Sequence, residues 1–137
     1  MPRIFIIEDN ASLRTLLLRV FHQLGHDVLG FSDGQEFLDA LSRPDFIYPD
    51  AILTDHMMPS ISGLEMLQQL RRNPDLANTP VIVFSAVDDD ALKKQFFQAG
   101  AADFIVKGSI GIKDLEHYLG KHFRDNSESV TKFNPAI

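Results

Sequence analysis

The sequence predicts an α/β fold of the doubly wound kind, with five parallel strands and helices on both faces of the sheet. Three observations point there. Apolar clusters of four to six residues recur five times along the 137-residue chain. Segments with helical spacing separate them. Three of the clusters are near-continuous apolar runs, as strands covered on both faces must be. Alternation with short connections gives right-handed crossovers and a parallel sheet.

Arg3–Ile7 is the first strand, ended by Glu8-Asp9. Leu13, Leu16, Leu17, Val20, Phe21 and Leu24 follow at i, i+3, i+4, i+7, i+8, i+11, one face of an amphipathic helix. Gly25 stands where a helix C-terminal cap is favoured. Asp27–Phe31 reads as a weaker strand. Ser32-Asp33-Gly34-Gln35 then starts a second helix burying Phe37, Leu38 and Leu41. Arg43–Pro49 is a loop with two prolines, and Ala51–Thr54 is the third strand. A third helix carries Leu64, Leu67 and Leu70 and ends before Asn73-Pro74. Pro80–Ser85 holds Val-Ile-Val-Phe, the most strand-like run in the chain. Asp88-Asp89-Asp90 suit a helix N-terminus, and that helix runs through Phe96 to Ala99. Asp103–Val106 is the fifth strand. After Lys107-Gly108 a last helix shows Ile112, Leu115, Leu119 and Phe123. Residues 125–137 are polar and aperiodic and read as a mobile tail, which leaves residues 1–124 as one domain.

Composition excludes several function classes. There is no cysteine, so neither a disulfide framework nor a thiolate metal site is available, which suits a reducing cytoplasm. No apolar run approaches the ~20 residues of a membrane span. The formal charge of −6 argues against a nucleic-acid partner.

Polar residues collect at the strand ends. In an open parallel sheet, ligands bind outside the carboxyl ends of the strands, near the switch in strand order. The first strand ends in Glu8-Asp9, the third in Asp55, the fourth in Ser85 and the fifth in Lys107. In the flavodoxin-like order 2-1-3-4-5, strands one, three and four lie together at the centre. Three carboxylates in one pocket need a shared proton or a cation. Such oxygen donors select a hard ion, and Mg²⁺ binds through one or two carboxylates while keeping its waters. With an ammonium and a hydroxyl beside them, the site suits phosphoryl transfer, with a carboxylate as nucleophile. Each residue alone has a plainer explanation: Asp55 as a turn residue, Glu8-Asp9 as a helix cap, Lys107 as a solvated lysine. The set at one sheet edge is what carries weight.

On these residues the chain resembles the receiver domain of bacterial two-component response regulators over roughly residues 2–124. The likeness rests on Glu8-Asp9, on Thr54-Asp55-His56-Met57-Met58-Pro59 followed by Gly63, on Ser85-Ala86, on Gly100-Ala101 and on Lys107. The resemblance implies that Asp55 is the phosphoacceptor, taking its phosphoryl group from a histidine kinase or a histidine phosphotransfer protein. It implies Mg²⁺ held by Glu8, Asp9, Asp55 and the backbone carbonyl of Met57. Lys107, Ser85 and Ala86 take phosphoryl-binding positions, and Phe104 is the aromatic that swings inward behind Ser85. Three departures stand out. Gly108 follows Lys107 where the family usually has a proline in a cis bond, so a cis bond is not expected here. Glu8 replaces the commoner aspartate. Phe104 replaces the frequent tyrosine and lacks its hydroxyl.

The implied function is a cytoplasmic single-domain response regulator that signals to a downstream protein partner and turns over no separate substrate. The other reading is a receiver-like interaction module that acts without phosphorylation, which Gly108 favours. A hydrolase with an aspartyl-phosphate would want two aspartates two apart after one strand, and here Glu8 and Asp9 are adjacent. A flavin-binding domain would find Glu8-Asp9-Asn10 repelling its phosphate. His56 is expected to point away from Asp55 into solvent, because side chains alternate along an extended chain. The other histidines are expected at the surface.

Overall fold

The computed structural model describes residues 2–133, and side chains as far as residue 122. Five strands and five helices alternate along the chain: β1 (Arg3–Ile7), α1 (Ala11–Gln23), β2 (Asp27–Phe31), α2 (Gly34–Ala40), β3 (Ala51–Thr54), α3 (Gly63–Arg72), β4 (Val81–Ser85), α4 (Asp90–Gln98), β5 (Asp103–Val106) and α5 (Ile112–Phe133). All strand pairs are parallel, in the order β2-β1-β3-β4-β5. This is the expected flavodoxin-like α/β fold.

The period-two alternation of the strands divides the core into two layers. Phe5, Ile7, Ile52, Val81, Val83 and Phe104 face α2, α3 and α4, which contribute Phe37, Met66, Leu67, Leu70 and Phe96. Ile4, Ile6, Leu53, Ile82, Phe84 and Ile105 face α1 and α5, which contribute Leu17, Phe21, Leu115 and Leu119. The central strands β3 and β4 are buried at every position. Edge strand β2 buries only Phe31, which explains its weak apolar pattern.

Helix starts follow local chemistry. The side chains of Asn10, Asp33, Ser62 and Asp89 each accept a backbone N–H three residues on, at 2.9, 2.8, 3.2 and 2.9 Å. Asn10 therefore does the capping that Glu8-Asp9 could have done, and leaves those two acids at the sheet edge.

Three expectations are corrected. On α1 the buried stripe is narrower than the periodicity implied. Leu17 and Phe21 are buried, whereas Leu16 and Leu24 are exposed, because a helix lying on one sheet face covers only about a third of its circumference. Next, α5 continues through Phe133, so the backbone of residues 125–133 is helical although its polar sequence reads as aperiodic. Residues 134–137, the rest of the expected tail, lie outside the described residues. Finally, His26 is buried, with Nε2 2.9 Å from Glu116 Oε1 across the α1–α5 side. Of the adjacent aromatics on α4, Phe96 is buried and Phe97 is exposed.

Candidate functional site

Sheet register builds the site. Ile7 in β1 lies beside Thr54 in β3, so Glu8 and Asp55 leave the sheet side by side. The backbone holds them there: Asp55 N–H donates to Ile7 O at 3.1 Å, and Glu8 N–H donates to Phe31 O at 3.0 Å. Ser85 pairs with Val106 at the ends of β4 and β5, and Lys107 N–H donates to Ser85 O at 2.7 Å. Four chain segments thus deliver polar groups to one rim.

Glu8 is 2% exposed and Asp55 8%, while Asp9 faces solvent. Carboxylate oxygens of these three residues lie within 4.8 Å of one another. Lys107 Nζ donates to Glu8 Oε1 at 2.8 Å and to Asp55 Oδ2 at 3.0 Å. The second oxygen of each acid is also held. Asn10 N–H donates to Glu8 Oε2 at 3.1 Å. The N–H groups of His56 and Met57 approach Asp55 Oδ1 at 2.7 and 3.4 Å. Arg14 Nη1 donates to the backbone oxygen of Glu8 at 2.7 Å and fixes the turn into α1.

Gly108 does not misdirect the lysine. It adopts φ +87°, a left-handed conformation that glycine reaches without strain, and no cis peptide bond occurs among the described residues. The Lys107 amine also lies 5.7 Å from the centroid of the Phe84 ring.

Burial pushes the Glu8 carboxyl above its ordinary range, and the hydrogen bonds from Lys107 and Asn10 offset only part of that. Burial acts to lower the Lys107 ammonium, but its bonds to Glu8 and Asp55 outweigh that and hold it above an ordinary lysine. The raised Glu8 value has a consequence for stability. Above the ordinary value of 4.5, native Glu8 keeps a proton that the unfolded chain has lost. Stability therefore falls as pH rises from there through the raised native value. Without added divalent cation, Glu8→Gln is expected to flatten that fall, read from urea midpoints across the window. A slope equal to that of the parent would exclude Glu8 as its source.

The donor set fits a hard divalent cation. It consists of carboxylate oxygens converging from β1 and β3, and the single ammonium leaves them only partly neutralised.

The remaining candidates fall around this cluster. Ser85 is fully buried, and its Oγ accepts the Val87 N–H at 3.1 Å. Phe104 is buried against Phe96, with ring centroids 5.7 Å apart. Ala86 is exposed, and the Met57 side chain is 65% exposed.

His56 overturns its expectation. It turns inward, with Nδ1 2.5 Å from Ser85 Oγ and 3.7 Å from Asp55 Oδ1. Burial holds its ring below the ordinary histidine value, although Asp55 pulls the other way. The alternation rule fails because the chain is no longer extended there. It leaves the sheet at Asp55 and bends, so that His56 N–H meets the preceding carboxylate.

Gly63 is marked by the sequence as part of the Asp55 motif, and the structure supplies the physical reason. Its N–H donates to His56 O at 2.9 Å, and a Cβ there would sit 2.6 Å from Asp55 O and 2.9 Å from His56 Cα.

Comparison with known proteins agrees with this geometry. Residues 4–119 match the family described as response regulator receiver domain. The cyclic di-GMP phosphodiesterase response regulator RpfG of Xanthomonas campestris pv. campestris is 35% identical over 129 residues, covering 93% of this chain and 34% of that protein. The sensory/regulatory protein RpfC of the same species is 34% identical over 116 residues, covering 83% of this chain and 16% of that protein. The chain thus spans about a third or less of these curated relatives. Among solved structures, the receiver domain of the Francisella response regulator 1452 superposes with a TM-score of 0.81 at 26% identity, covering 92% of this chain and 99% of that one.

Proposed function

This chain belongs to the response regulator receiver domain family, and from that premise we propose that Asp55 is a Mg²⁺-dependent phosphoacceptor and that its phosphorylation switches the domain toward a downstream protein partner. The observation that carries this is the setting of the Asp55 carboxylate. One oxygen meets the Lys107 ammonium at 3.0 Å, the other meets backbone N–H groups, and the oxygens of Glu8 and Asp9 lie close by.

The phosphoryl group comes from a phosphohistidine on a histidine kinase or a phosphotransfer protein. An Asp55 oxygen attacks phosphorus and an O–P bond forms. The N–P bond breaks, and the donor imidazole keeps the electron pair and takes up a proton. Lys107 follows the negative charge onto the phosphoryl oxygens. Backbone N–H groups keep the Asp55 carboxylate aimed. Glu8, Asp9, Asp55 and the Met57 carbonyl are the groups that would hold Mg²⁺, which when bound supplies charge neutralisation at the phosphoryl oxygens. Ser85 turns its hydroxyl to the new phosphoryl group, and Phe104 moves with it. The domain turns over no separate substrate. No helix among the described residues is long and apolar enough to cross a membrane, which is compatible with action in the cytoplasm.

Incubation with acetyl phosphate tests this. The protein is expected to take up label with Mg²⁺ and not with a chelator, and hydroxylamine should release the label, as it does from an acyl phosphate. Label that resists hydroxylamine, or no label from acetyl phosphate or any histidine kinase tried, would favour an interaction module that works unphosphorylated.

A further inference from the structure

Ser85 has one proton to give and two lone pairs. The Val87 N–H takes one lone pair at 3.1 Å, and the hydroxyl also faces His56 Nδ1. That imidazole is held from both sides. Its backbone N–H is tied to Asp55 Oδ1, and its ring stands edge-on to Phe96, with centroids 6.4 Å apart and an interplanar angle of 89°. Phe96 in turn packs on Phe104. One side chain therefore touches Ser85 directly and Phe104 through a single ring. At 3.7 Å the Asp55 carboxylate is beyond hydrogen-bond reach of Nδ1, so the ring is committed to Ser85.

We infer that His56 is a positioning residue: by accepting the Ser85 proton it holds that hydroxyl in the resting arrangement and opposes its transfer to a phosphoryl group on Asp55. The inference rests on the phosphoacceptor reading above. A serine whose only proton is given to Nδ1 cannot also give it to a phosphoryl oxygen. The switch therefore breaks a partly buried hydrogen bond before it makes a new one, and the resting state is favoured by the strength of that bond.

Beryllofluoride with Mg²⁺, a phosphoryl mimic, serves as the probe. His56→Phe keeps the ring edge on Phe96 and removes the nitrogen. It is expected to bind the probe about fivefold more tightly than the parent, the worth of one net hydrogen bond. In a Ser85→Ala background the same substitution is expected to change nothing, whereas a merely structural role for the ring would persist there. In the probe-free protein, the His56 imidazole ¹⁵N resonances should show Nδ1 as an acceptor and shift on Ser85→Ala. That readout also decides the matter if His56→Phe does not fold. Unchanged or weaker binding by His56→Phe, an equal gain without Ser85, or a protonated Nδ1 would overturn the latch alone. Failure of the parent to bind beryllofluoride would overturn the phosphoacceptor reading and the latch with it.

Discussion

Asp55→Asn is expected to abolish labelling by acetyl phosphate, lowering it at least about a hundredfold, while the protein stays folded. The amide keeps an oxygen for the N–H groups of His56 and Met57 but has no nucleophilic carboxylate. Its NH₂ would face the Lys107 ammonium, donor against donor, so the 3.0 Å bond is lost. Lys107 retains Glu8 at 2.8 Å and is not stranded. Removing one of three crowded acids also relieves repulsion. Gain and loss oppose each other, so the unfolding free energy should move by no more than about 1 kcal/mol. Labelling and a urea titration of the same preparation separate the two effects. Label persisting at the parental level would move the acceptor to another residue, Asp9 first.

The largest loss of stability is expected at Gly63. In Gly63→Ala the new methyl would lie 2.6 Å from Asp55 O and 2.9 Å from His56 Cα. Both are backbone atoms, so no rotamer change relieves the contact. Either α3 retreats, and with it buried Met66, Leu67 and Leu70, or the loop carrying Asp55 shifts. The cost should be about 3 kcal/mol, at the upper end of overpacking effects. A urea midpoint that falls with an unchanged slope reads it. The labelling rate of the folded fraction should drop as well, because the displaced loop is the one that aims the nucleophile. A midpoint within error of the parent would mean the helix yields freely, and the close approach has no energetic weight.

The five alternating strands and helices, the two-layer core and the strand-end positions of Glu8, Asp9, Asp55, Ser85 and Lys107 were legible because each rests on a strong local signal, whereas the strand order came from the fold type and not from any local pattern. Continuous apolar runs mark β1, β3 and β4, and the acids stand where those runs stop. The outward position of Leu16 was not legible. Periodicity defines a stripe, but only the neighbouring sheet decides how wide a strip is covered. The helical backbone of residues 125–133 was hidden by polar composition, which signals exposure more than conformation. His56 was missed for a different reason. A two-residue alternation holds only while the strand lasts. The strand end at Thr54 was legible, but the alternation was carried one residue past it, and nothing in Asp-His-Met-Met-Pro says which way the chain bends there. The pairing of His26 with Glu116 joins residues ninety apart, a separation that no local pattern spans.

An amine that already grips Glu8 and Asp55 together is a resident placeholder for cationic charge. Its one positive charge is shared by two buried acids and so offsets only part of their negative charge. On the proposed phosphoacceptor role, the same flexible four-carbon arm would swivel toward new anionic charge on Asp55 without travelling. The arm springs from a backbone fixed by the Lys107 N–H bond to Ser85 O, so its base stays in place whichever anion its tip meets.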